Sequence, residues 1–214
     1  MKGADRLSSS VWLEGGWLAR AKTMRSPNFD QRPSVMPIDL LVIHHISLPP
    51  GRFSGPAVED LFLNRLDPLS DPNYGALKGL KVSAHFFIRR SGALVQFVGC
   101  DARAWHAGQS EFDGRKACND FSIGVELEGD GEHPFTKRQY ARLLTLSLDL
   151  LLRYPLRHVR GHSDIAPGRK FDPGPFFEWG RYGESTLALS RSLHKNLFLS
   201  DKLAKIGRSA LELR

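Results

Sequence analysis

Cysteine is almost missing from this chain: Cys100 and Cys118 are the only two in 214 residues. Two are too few for a disulfide framework, and both are expected as buried thiols. Long apolar runs are missing too. None approaches the roughly 18–20 residues that a membrane span requires, so no membrane association is expected. Residues 1–20, MKGADRLSSSVWLEGGWLAR, carry an aspartate, an arginine and three serines where the apolar centre of an export signal would have to lie. The expectation is a soluble chain in a reducing cytoplasm. There is no block of like charge either. The net charge of +7 is spread over isolated pairs such as Arg89-Arg90 and over the terminal segments. Without interleaved basic and aromatic residues, this reads as a solvated basic surface and not as a nucleic-acid site. Internal repeats and low-complexity tracts are absent, so a single core is expected at this length.

The apolar pattern that is present gives strands and helices in mixed order. IDLLVIHH is a continuous aliphatic run of strand length, and VSAHFFIRR and ALVQFV are two more, joined by the turn signal RSGA as a hairpin. FSIGVELEG, residues 121–129, reads as a central strand whose alternation sets Glu126 and Glu128 on one face. Thr136 and Gln139 stand in capping-box spacing before a leucine-dense helix that Pro155 ends. LRHVRGH returns as a short strand, and SDIAPGRKFDPGPFF is too rich in Pro, Gly and Asp for regular structure. The predicted class is α/β, a mixed central β-sheet flanked by helices. The main domain is expected over residues 1–182, with 1–11 a loose segment, and residues 183–214 as a C-terminal helical extension without a recognisable motif.

Histidine and carboxylate positions carry the chemistry. Of eight histidines, His44/His45 and His162 sit where a strand runs into a loop, which holds a side chain rigidly. Ten residues beyond His162 lies Asp172, in KFDPGP. Two histidines and an aspartate form the donor set of an open zinc site, three protein ligands with one position left over. Adjacent residues of a strand point to opposite sides, so only one of His44 and His45 can face the same ligands. Glu126 and Glu128 compete in the same way as candidate acid/base groups, and spacing alone does not choose between them.

The blocks LLVIHHISLPPG, VSAHFFIRRSGALVQFV, RAWHAG, CNDFSIGVELEG and GHSDIAPGRKFDPGP, in this order, closely resemble the zinc-dependent N-acetylmuramoyl-L-alanine amidases, at the branch that acts on 1,6-anhydro-muropeptides in peptidoglycan recycling. The resemblance runs from about Trp12 to Trp179. It implies a peptidoglycan-recognition-protein-like fold, one zinc ion on His44, His162 and Asp172, Glu126 as acid/base, and Lys170 as a cationic stabiliser. It also implies a small muropeptide as substrate, with Lys81 and His45 at substrate-contact positions; Trp105 offers a flat apolar surface to a sugar ring or else packs in the core, and a monomer is expected. Two of these depart from the family pattern: Lys81 stands where arginine is usual and His45 where asparagine is usual. Ala84 replaces the tyrosine common in the wider family, which removes any tyrosine-assisted mechanism. His85 and His106 read as interior or structural groups. The rival expectation is a non-catalytic module that binds peptidoglycan fragments, which relatives become by losing a ligand.

Overall fold

The computed structural model describes residues 11–33, 36–193 and 197–213. The expectations for residues 1–10 lie outside them. A six-stranded mixed sheet organises the chain. Its strands are β1 (Lys22–Thr23), β2 (Leu40–Ile46), β3 (Phe86–Ile88), β4 (Leu94–Gln96), β5 (Ser122–Glu128) and β6 (His158–Gly161). Their spatial order is β6-β2-β5-β3-β4-β1. The expected hairpin is the antiparallel pair β3/β4, while β6, β2, β5 and β3 run parallel. Parallel strands need crossovers and are covered on both faces. Every residue of β5 is accordingly buried.

The helices are α1 (Ala57–Phe62), α2 (Lys137–Arg153), the single turn α3 (His162–Ile165), α4 (Trp179–Ser192) and α5 (Leu197–Leu211). The capping box starts α2 as the sequence predicts. Thr136 Oγ1 accepts the Gln139 amide at 3.2 Å, and Gln139 Oε1 accepts the Thr136 amide at 2.9 Å. Leu143, Leu146 and Leu150 of α2 share one core cluster with Leu41 and Ile43 of β2 and with Ile123, Val125 and Leu127 of β5. The opposite sheet face holds two smaller apolar clusters, one around Leu40, Val42 and Phe121 and one around Phe87 and Phe97.

Beyond Gly183 the described residues are helical to Ser192 and again over Leu197–Leu211, and the domain boundary expected at residue 183 falls inside α4. Leu199, Leu203, Ile206 and Ala210 of α5 belong to the same core cluster as the sheet. The two helices cross closely because Gly183 and Gly207 face each other. A Cβ on Gly183 would lie 2.9 Å from the Gly207 carbonyl oxygen, and one on Gly207 3.0 Å from that of Gly183. The α5 helix also seals the exposed side of edge strand β6, where Ser209 Oγ accepts the Val159 amide at 3.2 Å. An edge amide that would otherwise face solvent or a foreign strand thus has an internal partner. No helix among the described residues is long and apolar enough to cross a membrane.

Candidate active site

The parallel register assembles the site. Glu126 pairs with His44 across β5/β2, and Gly161 pairs with Ile43 across β6/β2. The residue after Gly161 therefore emerges beside His44, at the carboxyl ends of the strands, where open α/β sheets place their ligands. That residue is His162. The loop after α3 then returns, with the Ser163 amide donating to the Asp172 carbonyl at 2.9 Å, and this brings the Asp172 side chain to the two rings.

Three donors converge. His44 Nδ1 lies 3.0 Å from His162 Nδ1 and 2.9 Å from Asp172 Oδ2, and His162 Nδ1 lies 3.1 Å from the same oxygen. Among the described residues this is the one group of three or more His, Cys, Asp or Glu side chains with metal-ligand spacing. The outer nitrogens of both rings are already occupied: His44 Nε2 meets His106 Nδ1 at 2.9 Å, and His162 Nε2 meets the Ala107 carbonyl at 3.0 Å. A carbonyl only accepts, so His162 carries its hydrogen on Nε2 and turns the lone pair of Nδ1 toward the group. Two imidazole nitrogens and one carboxylate oxygen suit zinc in chemistry and in number. Burial pushes the His44 imidazole down to about 4, which keeps it neutral, as a metal ligand must be.

The structure separates the two glutamates. Glu128 is consumed by structure: Oε1 accepts the Ser54 amide at 2.6 Å and the Arg89 guanidinium at 3.3 Å, and Oε2 accepts the Arg90 amide at 2.9 Å. Glu126 Oε2 is buried with no hydrogen-bond partner. Burial, reinforced by the negative charge of Asp172, raises the Glu126 carboxyl well above the usual range, while Lys170 pulls it back. A carboxyl held this way keeps its proton more tightly than an exposed one, which is the direction of shift that acid/base work requires.

The remaining expected residues divide. Lys170 is half-buried, four residues past Ala166, whose carbonyl its amide meets at 3.0 Å, and its charge acts on both His44 and Glu126. His45 turns away from the three donors and lies against the 129–131 turn, half-buried, with its Nδ1 unpartnered. Trp105 is half-buried beside His106, its amide on Ser83 Oγ at 3.1 Å. Lys81 is exposed and borders a separate small cavity with Leu61 and Leu77. His85 is fully enclosed, and its Nδ1 accepts the Gly124 amide at 3.0 Å. His106 is the residue that sequence reasoning undervalued. Nothing in a loop motif such as RAWHAG signals contact with a strand residue 62 positions away.

A family model described as N-acetylmuramoyl-L-alanine amidase matches residues 34–175. The 1,6-anhydro-N-acetylmuramyl-L-alanine amidase AmpD of Escherichia coli strain K12 is 49% identical over 172 residues, which cover 79% of this chain and 94% of that protein. The crystal structure of a Se-Met AmpD derivative superposes with a TM-score of 0.77 at 49% identity, covering 79% of this chain and 96% of the other. The amidase AmiD from E. coli, solved with the substrate anhydro-N-acetylmuramic acid-L-Ala-D-gamma-Glu-L-Lys, superposes at 0.52 and 31% identity, over 72% of this chain and 60% of that one. With its mixed sheet, its convergent donors and these likenesses together, the chain belongs to the N-acetylmuramoyl-L-alanine amidase family.

Proposed function

We propose that this chain hydrolyses the amide between the 1,6-anhydro-N-acetylmuramyl group and L-alanine in muropeptides, during cytoplasmic peptidoglycan recycling, with one zinc ion held by His44, His162 and Asp172. The observation that carries the reading is the convergence of these three donors next to a buried, unpartnered carboxyl on Glu126. Zinc in such a site supplies Lewis acidity, which acidifies a water to a pKa of about 7 and polarises a carbonyl. Glu126 takes the proton released by the attacking water and hands it to the departing nitrogen of L-alanine, so that the bond breaks to a neutral amine and not to an amide anion. Lys170 offsets the negative charge that grows on the carbonyl oxygen. Trp105 supplies a flat surface for the sugar or anhydro ring. His45 and the exposed Lys81 offer polar and cationic contacts to the peptide, the lysine without the bidentate grip of an arginine.

Two buried, unpaired thiols, Cys100 and Cys118, support a reducing compartment. A monomer is proposed, with no membrane or nucleic-acid partner. The unit that acts is proposed to be the domain up to residue 182, with the C-terminal helices as structural support. The test is a chromatographic assay on purified anhydro-muropeptide: release of free L-alanyl peptide and anhydro-sugar is expected. Tight binding of the muropeptide with no release would replace this reading with a non-catalytic binding module.

A further inference from the structure

The metal reading leaves open what holds the His44 ring in the one tautomer and orientation that aims Nδ1 at Asp172. The answer starts from a carbonyl. Ser122 Oγ lies 2.5 Å from the Cys118 carbonyl oxygen, which only accepts, so the hydroxyl hydrogen is committed there. The same Oγ lies 3.3 Å from His106 Nε2 and is left to accept, so His106 carries its hydrogen on Nε2. In a neutral ring the other nitrogen, Nδ1, is then a bare acceptor. It faces His44 Nε2 at 2.9 Å, so His44 must be the donor, and its own Nδ1 is left with a lone pair directed at Asp172 and His162.

Three features show that this position is built and not incidental. His106 is buried against β5 directly over Gly124, and a Cβ there would lie 2.4 Å from the His106 ring, so only glycine admits the imidazole. Asn119 Oδ1 accepts the amides of both His106, at 3.2 Å, and Ala107, at 2.8 Å, and so clamps the backbone that carries the ring. The clamped pair serves both candidate ligands, because the Ala107 carbonyl receives His162 Nε2.

We propose that His106 is a positioning residue for the metal centre: it accepts the Nε2 hydrogen of His44 and relays to that ring the tautomer imposed by Ser122 and the Cys118 carbonyl. The proposal rests on the zinc reading above. Partners of this kind commonly change metal affinity by about 10–100-fold when they are removed.

The experiment is a chelator competition that measures zinc affinity of the full chain as wild type, His106→Phe, His106→Asn and Ser122→Ala, with thermal unfolding of each metal-free protein alongside. Phenylalanine fills the space but accepts nothing, and should weaken zinc about 10–100-fold. Asparagine can place its carbonyl oxygen where Nδ1 stood, and should restore most of the affinity although it fills less volume. Ser122→Ala should weaken zinc less, and should add nothing when combined with His106→Phe. A role in packing alone predicts the reverse order, with phenylalanine better than asparagine, and that order overturns the proposal. Wild-type zinc affinity in His106→Phe also overturns it. If His106→Phe fails to fold, the asparagine and Ser122→Ala affinities decide, and unchanged affinity in Ser122→Ala with weakened binding in His106→Asn counts against the relay. Failure of the wild-type chain itself to bind zinc overturns the metal reading first and is recognisable as such.

Discussion

The two faces of the β2/β5 pair are made by alternate residues of the same strands, yet they have little in common. One carries Leu41, Ile43, Ile123, Val125 and Leu127 and packs beneath α2 and α5. The other carries His44, which meets His106 62 residues away, Ser122, which meets the same ring, Gly124, which lies beneath it, and Glu126, whose Oε2 has no partner. Burying one large aliphatic side chain stabilises by roughly 1.5–3 kcal/mol. A fold anchored on its apolar face can therefore hold a buried carboxyl oxygen without a partner on the other, where desolvation costs about 1–3 kcal/mol. Stability and chemistry are separated by one residue of strand alternation.

The two faces should differ most completely in their response to loss of the donor set. Asp172→Ala should bind no zinc, seen by elemental analysis of the purified protein, and its hydrolysis should fall to background. Glu126→Gln should keep zinc and lose about 10²–10⁴-fold in turnover. Glu128→Gln, two residues along the same face, should keep turnover and lose about 1–3 kcal/mol in denaturant unfolding, because the amide nitrogen that replaces one carboxylate oxygen cannot accept from Arg90 on one side or from Ser54 and Arg89 on the other. On the apolar face, Leu150→Ala should cost about 2–5 kcal/mol and leave zinc affinity alone.

The pH dependence of the metal-free protein sharpens the contrast. Burial lowers the imidazoles of His44, to about 4, and of His85 and His106, well below their ordinary value. An unfolded chain takes up protons on these groups near pH 6.5, so below that point the unfolded state binds more protons. The stability that these three imidazoles control should be full above about pH 6.5 and should fall as the pH drops toward 4, whereas the raised Glu126 carboxyl acts in the opposite sense. Leu150→Ala should lower that curve without moving its shape. The smallest effect is at the sheet edge, where Ser209→Ala should cost about 1 kcal/mol and leave turnover unchanged.

Much of this was legible in the sequence, wherever the signal is local. The aliphatic run of β2, the alternation of β5 and the Thr136–Gln139 box each depend on neighbours a few residues away, and the structure contains them. The strand-end histidines and Asp172 were only a candidate donor set by position, and it was the resemblance of the five motif blocks to the zinc amidases that implied His44, His162 and Asp172, which the structure brings together. What alternation could not provide was the choice between Glu126 and Glu128, which share a face. The resemblance alone favours Glu126, and in the structure Ser54 and Arg90, at separations of 74 and 38 residues, occupy Glu128. His106 was hidden for the same reason, being a loop residue defined by a strand it does not precede. The packing of α5 into the core was hidden too, since Gly183 and Gly207 meet only once both helices are placed.

A metal on the polar face is proposed to carry amide hydrolysis, and one sample can test this through a cycle of removal and restoration. Release of L-alanyl peptide from anhydro-muropeptide is followed in the native protein, after exhaustive chelation, and after zinc is returned. Release is expected first, then loss to background, then recovery as zinc reaches one ion per chain. Undiminished release by protein shown to be metal-free would contradict the metal's role.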